Sequence, residues 1–325
     1  MSRACLVILC LLFAFQGFTN PACAQALKKY KPVWNLAGKI RVAGSGALNG
    51  ELEILADTFQ QIYPGVEIAV ERNGEERTPT ALLAGAADLG SLSRALTREE
   101  TAAIESRYLT SPIGVVVGLD ALAIYVNREN PIACLSIPDL DRIFSANRIA
   151  SGGDAVERWG QLVSDAAWLE KPISRLGRRE DSGSYSFFRN SVIDGDAFRR
   201  DVKALESGEA VVRAVAGDRY AIGYSSGGSL AQGARVVSIS NEGGAICKSL
   251  TAENVARGDY PLARGLYIYA LKTQDPQTNL IIVEFLRYLV SREGQMKMTE
   301  IGFIPIDRDS QDVALRRLKA IATRR

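Results

Sequence analysis

Lys39-Ile40-Arg41-Val42-Ala43-Gly44-Ser45-Gly46-Ala47-Leu48-Asn49 is the stretch on which the fold turns. Ile40 and Val42 alternate with polar neighbours as they do in a strand, and the glycine-serine run ends it. From Asn49 to Tyr63, the residues Leu52, Leu55, Ala56, Phe59 and Ile62 recur at helical spacing. Pro64-Gly65 stops that helix, and Val66 to Glu71 reads as a second strand. Strand, glycine loop, helix, strand is a βαβ unit, which requires parallel strands.

The alternation continues outward. Thr80 to Gly85 reads as a short helix and Asp88 to Leu92 as a strand, and Thr97-Arg98-Glu99-Glu100 has the capping-box pattern that opens another helix. Ile113 to Val126 is apolar but broken by Gly118-Leu119-Asp120, so it is either two strands or one strand crossing between lobes. Ser136-Ile137-Pro138 starts a helix, and Ile173 to Leu176 is a strand. Glu209 to Ala216 is helical, while Ala221 to Tyr224, Val236 to Ile239 and Leu266 to Leu271 are strands. A strongly amphipathic helix covers Pro276 to Ser291, and a short one ends before Gly302. The expected class is α/β with two lobes.

Composition excludes several chemistries. The 325 residues include no histidine, so a Ser-His-Asp or Cys-His triad and imidazole metal sites are ruled out. Residues 1–24 read as an export signal: Arg3, an apolar core from Cys5 to Phe15, and Ala22-Cys23-Ala24 as a cleavage site near Ala24. The protein is then expected to be periplasmic or secreted, with Gln25 near its mature start. Of five cysteines only Cys134 and Cys247 remain after cleavage, too few for a thiolate zinc cluster. In an oxidising compartment they can form a disulfide or stay as separately buried thiols. Without Arg3 the mature chain carries 38 basic against 37 acidic side chains, no footprint for nucleic acid. The basic tail, from Arg316 to Arg325, reads as a solvated helix end. No cofactor or metal is expected.

Three loops carry the chemistry. Arg178-Arg179-Glu180-Asp181-Ser182-Gly183-Ser184 follows a strand and opens a helix. Arg178 offers a planar fork of donors, Ser182 is a good N-cap, and the amides of Gly183 and Ser184 lie where a helix N-terminus binds anions. Gly44 to Asn49 places the amides of Ala47 and Leu48 at a second helix N-terminus. Ser93-Arg94 adds a hydroxyl and another guanidinium after a short strand. Each loop alone is an ordinary turn; together they suggest one cradle for an oxyanion.

The ordered set resembles the high-affinity phosphate-binding proteins that feed ABC transporters, of the type II periplasmic-binding-protein superfamily. The resemblance rests on the Gly-Ser loop, Leu82 to Gly90, Ser93-Arg94, Leu119 to Asn127, the Arg178 to Ser184 loop, Ala221-Ile222-Gly223-Tyr224 and Tyr260 to Arg264. It implies two α/β lobes, 25–121 plus 268–325 and 122–267, each a mixed sheet flanked by helices, with inorganic phosphate or a similar oxyanion clamped in the cleft. It also implies a monomer that docks on a membrane permease, without catalysis. Ala47, Leu48, Ser93, Arg94, Arg178, Ser182, Gly183 and Ser184 would be the ligand set.

The chain departs from that pattern. Gly46-Ala47 replaces the usual Ser-Thr, and Glu75-Glu76 stands in a loop that is often Ser- and Gly-rich. Ser93 occupies the position of an Asp that accepts the proton of monohydrogen phosphate in well-known members, so Asp120, Glu180 and Glu75 become the candidate acceptors. Glu180 has the alternative job of steadying Arg178. Two rival readings remain: an envelope sensor or interaction protein with a drifted site, and a phosphatase using Ser93 or Ser182 as nucleophile.

Overall fold

The computed structural model describes residues 24, 26–44, 48–72, 74, 76–227 and 231–322. The expected leader, apart from Ala24, lies outside them, as do Ala47, Glu75 and the tip of the basic tail. β1 (Ala37–Ala43), α1 (Asn49–Ile62) and β2 (Gly65–Glu71) form the βαβ unit, with β1 and β2 parallel from Ala37 opposite Gly65 to Ala43 opposite Glu71. After α2 (Thr78–Ala84), β3 (Leu89–Leu92) lies parallel to β1 on its other side. α3 (Arg98–Tyr108) opens on the capping box: the Glu100 amide donates to the Thr97 hydroxyl at 3.1 Å, and the Thr97 amide donates to the Glu100 carboxylate at 2.8 Å.

The long apolar run is one strand, β4 (Ile113–Asn127). At the Gly118 break the terminal methyl of Met298 packs into the space that a Cβ would take. Beyond it come β5 (Cys134–Ser136), α4 (Ile137–Phe144), β6 (Ser174–Arg178), α5 (Gly183–Ser191), β7 (Lys203–Leu205), α6 (Gly208–Gly217), β8 (Ala221–Ser226), β9 (Ala234–Val236) and β10 (Ser238–Ser240). α7 (Ala252–Ala256), β11 (Ala263–Ala270), α8 (Pro276–Leu289), α9 (Arg292–Glu300) and α10 (Arg308–Ala322) complete the described chain. Val236 to Ile239, read as a single strand, belongs to two: β9 pairs with β4, and β10 pairs with β5.

The main sheet runs β2-β1-β3-β11-β4-β8-β6-β7, with β9 also on β4. β4 is common to both halves. Its first part pairs with β11 and its last part with β8 and β9, all antiparallel. Two large hydrophobic cores lie on either side of this crossing. One contains Val42, Phe59, Val117, Leu266 and Phe285; the other contains Ala121, Tyr125, Phe144, Phe188, Tyr224 and Leu262. The cores divide between Val117 and Ala121 on β4 and between Ala263 and Leu266 on β11.

Burying one aliphatic or aromatic side chain contributes about 1.5–3 kcal/mol, so each half has its own driving force to fold. Edge-to-face packing of Phe59 on Phe285 and stacking of Phe188 on Tyr224 add ring geometry to that burial. Cys134 and Cys247 are bonded, joining β5 to the segment after β10 across 113 residues. In the chain-entropy view a loop of that size is worth roughly 4–5 kcal/mol. Among the described residues no helix is long and apolar enough to cross a membrane.

Candidate functional site

β6 ends at Arg178, and the turn that follows starts α5 with Ser182 as its N-cap. The Ser182 hydroxyl accepts from the Tyr185 amide at 3.1 Å, which fixes the end of the helix. A hydroxyl has one proton and two lone pairs, so this cap leaves its O–H able to donate elsewhere. Amides of the first helical turn have no intrahelical acceptor, and the macrodipole adds positive potential there. Ser182, Gly183 and Ser184 line a cavity of about 560 Å³ together with Arg178, Asp120, Arg264 and the start of α1 at Gly50 and Glu51. The end of α9 and Ile301 to Phe303 close its rim.

The two arginines of β6 show what distinguishes a ligand guanidinium from a structural one. Arg175 is almost wholly buried and fully engaged: it donates to the carbonyls of Ile143, Val156 and Ile173 and to Asp201 at 2.7 Å. Arg178, at the end of the same strand, donates through Nη2 to the carbonyl of Glu206 at 3.0 Å. Its Nε is buried with no acceptor, and among the described residues no carboxylate lies within ion-pair distance. Burial disfavours its charge, while Tyr224 and Asp181 act in the opposite sense. A guanidinium keeps its proton in proteins, so this is a cation with no carboxylate bonded to it among the described residues. Glu180 is exposed, and the group that holds Arg178 is the Glu206 carbonyl rather than Glu180.

The second cation of the cavity is Arg264, which sequence reasoning quoted in a matching run without assigning it a role. Asp120 and Arg264 are direct partners across β4 and β11, at the junction between the two cores. Nη2 and Nε of Arg264 reach Asp120 Oδ2 at 2.8 and 3.0 Å, both side chains being about nine-tenths buried. Arg264 also donates to the Ser93 hydroxyl at 3.0 Å and lies 4.1 Å from the ring centroid of Phe187 on α5. Ser93 thus stands behind Arg264. Nothing local in the sequence marks Arg264, because its pairing with Asp120 arises from the register of β4 on β11.

Arg94 is placed differently. Its two Nη atoms lie on Glu100 at 2.7 and 2.8 Å, and it does not line this cavity among the described residues. Leu48 is fully buried in the first core, where it anchors α1, while Gly50 and Glu51 reach the cavity. Burial pushes the Glu51 carboxyl above its usual range. Among the described residues no group of three or more His, Cys, Asp or Glu is placed to hold a metal ion.

Residues 33–293 match the family model described as a PBP superfamily domain. The chain is 31% identical over 293 residues to the phosphate-binding protein PstS of Pseudomonas aeruginosa, covering 90% of this chain and 91% of that one. Protein SphX of Synechococcus elongatus is 26% identical, covering 86% of this chain and 81% of its own. A solved possible phosphate binding protein from Planctomyces limnophilus superposes with a TM-score of 0.75 at 24% identity, covering 89% of this chain and 100% of that one. An ABC-type phosphate transport receptor from Vibrio cholerae superposes with a TM-score of 0.66 at 22% identity, covering 82% and 99%.

Proposed function

The chain belongs to the PBP superfamily, in the family of the phosphate-binding protein PstS, and from that premise we propose that it captures inorganic phosphate outside the cytoplasm for an ABC-transporter permease. Its fold is the two-lobed type II periplasmic-binding-protein fold. The observation that carries the reading is Arg178, a cavity guanidinium without a carboxylate partner beside the N-terminus of α5. Such a group needs an anion to complete it.

The proposed ligand set is Arg178, the Ser182 hydroxyl and the amides of Gly183 and Ser184 on one wall. Arg264, which also reaches the Gly183 carbonyl at 3.4 Å, joins the set in place of Arg94, and the start of α1 lines the same cavity at Gly50 and Glu51. The amides of Leu48 and of Ala47, the latter outside the described residues, remain part of the proposed set. Ser93 acts through Arg264. The proposed lobes are 25–121 plus 268–325 and 122–267; the two cores divide a few residues away from these bounds, with Ala121 and Ile304 in the core of the second half and Leu266 in that of the first. A cavity of about 560 Å³ is far larger than a five-atom oxyanion fills. Closure of the lobes would expel water and strengthen every charge-assisted bond.

Binding without chemistry fits the absence of histidine from the sequence and the roles of the two candidate serines. Ser93 receives the Arg264 guanidinium and Ser182 caps α5, roles that give both hydroxyls a structural use. Export with cleavage near Ala24, a periplasmic location and a monomeric state belong to the same proposal, and the Cys134–Cys247 bond supports an oxidising compartment. Calorimetry on anion-stripped protein tests it: inorganic phosphate should bind one to one, with arsenate close behind. Absence of heat with phosphate, arsenate and sulfate at millimolar ligand would end the reading.

A further inference from the structure

Lys28-Lys29-Tyr30-Lys31-Pro32-Val33-Trp34, ahead of β1, is a basic run without an acid, and residues 313–325 at the other end of the sequence are basic in the same way. Packing brings the described parts of both onto α8. The leading segment lies along that helix. Near the helix start the Ala37 carbonyl accepts from Gln277 Nε2 at 2.9 Å; farther on the Tyr30 hydroxyl donates to Glu284 at 2.9 Å; just past the end the Lys28 carbonyl accepts from the Arg292 amide at 2.9 Å. α10 is tied alongside by Gln311, whose side chain donates to the carbonyls of Lys28 at 3.1 Å and Val290 at 2.8 Å. Between α8 and α10 runs a groove of about 520 Å³, with Val283 and Leu318 in its floor and Lys28, Arg287, Arg316 and Lys319 around it. The acids close by are each engaged: Asp312 with Lys28 at 2.6 Å, buried Glu284 with Arg287 at 2.7 Å, and Glu293 with the Tyr30 amide at 2.7 Å.

Residues 26–36 and 313–325 hold eight of the 38 basic side chains of the mature chain and none of its 37 acids, so the remainder is net acidic by seven. The positive charge is thus gathered at one pole, and that pole lies away from the cavity. α1 starts beside the cavity at Gly50 and Glu51 and runs about 20 Å to Tyr63, whose hydroxyl receives the Val33 amide at 2.9 Å and meets the Tyr30 hydroxyl at 2.8 Å. Trp34, in the basic run, is 93% exposed and belongs to neither large core. Clustered cations beside an exposed indole match an anionic lipid surface: phosphodiester heads meet the cations, and an indole settles at headgroup level. We propose that this pole is a docking surface for an anionic bilayer. Its cations are spread over a strap, a helix flank and a tail, which suits a fluid sheet of head groups better than one fixed carboxylate partner. The net acidic remainder is repelled by the same lipid, so attachment has a single orientation. This surface is independent of the phosphate reading.

Flotation of residues 25–325 with vesicles of phosphatidylglycerol and phosphatidylcholine in equal parts, and of phosphatidylcholine alone, tests the assignment. At low ionic strength the anionic vesicles should carry at least about tenfold more protein than the neutral ones. Attachment should be lost near 1 M salt, where the screening length is about 3 Å. Trp159 and Trp168 are buried, so a blue shift of tryptophan emission on the anionic vesicles reports Trp34. Lys29→Glu, Lys31→Glu and Arg316→Glu together, all at exposed positions, should cut binding to anionic vesicles by about tenfold or more and leave phosphate titration as in wild type. The wild-type comparison of lipids and salt stands on its own should that variant fail to fold. Equal flotation with both vesicles, none with either, no blue shift, or a folded triple variant that floats as well as wild type overturns the assignment. Tighter binding to soluble polyglutamate than to anionic vesicles also overturns it, giving the pole to an acidic protein instead.

Discussion

On one wall of the cavity, residues 178–184 present a guanidinium with no carboxylate partner and a helix N-terminus capped by Ser182; on the other, α1 brings Glu51, and the β4–β11 junction brings Asp120 already bonded to Arg264. The first wall has donors in surplus, so an anion completes it. The second has its charges partly balanced before any ligand arrives. The difference bears on the proposed binding: Arg178 is the group that an oxyanion would complete, while the Asp120–Arg264 pair ties the two crossing strands together beside it.

The largest expected effect breaks the first wall. Charge-assisted hydrogen bonds are worth about 1.5–3 kcal/mol each, so loss of two through Arg178→Ala should weaken phosphate binding by roughly a hundredfold or more. Calorimetry reads this directly, and a loss under about threefold would erase the contrast between the walls.

Next comes the junction. Asp120→Ala leaves Arg264 buried without its partner, and breaking one side of such a pair typically costs about 3–5 kcal/mol. Urea unfolding should show that loss, and the double variant with Arg264→Ala should lose less than the sum of the single changes. Additive effects would mean that the two groups do not act as a unit.

A smaller effect concerns Glu51 and stability rather than binding. Burial raises its folded-state pKa above the unfolded value, so its favourable contribution is present at low pH and is lost as pH rises through the folded value. Glu51→Gln should therefore melt higher than wild type at pH 7–8, and the advantage should vanish below the ordinary carboxylate range, near about pH 4. Thermal melts across that range check the sign, and an advantage that grew in acid would contradict it. The smallest effect is assigned to Arg94. Its pairing with Glu100 is partly exposed, so Arg94→Ala should change phosphate affinity by less than about threefold and stability by no more than about 1 kcal/mol.

Much of the fold was legible because its signals are local. The βαβ unit, the Thr97 capping box and the N-caps at Ser136 and Ser182 each lie within a few consecutive residues. Strands β5, β7, β9 and β10 have only three residues each, too short for an alternating pattern to declare itself. The unity of β4 was ambiguous because a glycine break in a sequence does not reveal that Met298 packs there.

The site divides in the same way. The Arg178 loop combines strand end, cap and cation in one run, so its chemistry could be read directly. Arg264 acquires its role from Asp120, 144 residues away in the chain, through the register of β4 on β11. Glu51 looked like an ordinary acidic residue of a first helical turn, where such charges are common. Its place on the lining of the same cavity as Arg178 comes from packing, which no local pattern encodes. Arg94 misled for the converse reason: a guanidinium after a strand looks free until the capping residue Glu100 is seen to hold it.

Crystals grown with arsenate and measured at the arsenic edge test the central claim most directly. A single anomalous peak within hydrogen-bonding distance of the Arg178 guanidinium and the amides of Gly183 and Ser184 is the expected result. A peak elsewhere, such as the basic groove of Lys28, Arg287, Arg316 and Lys319 along α10, or no peak at all, would contradict it.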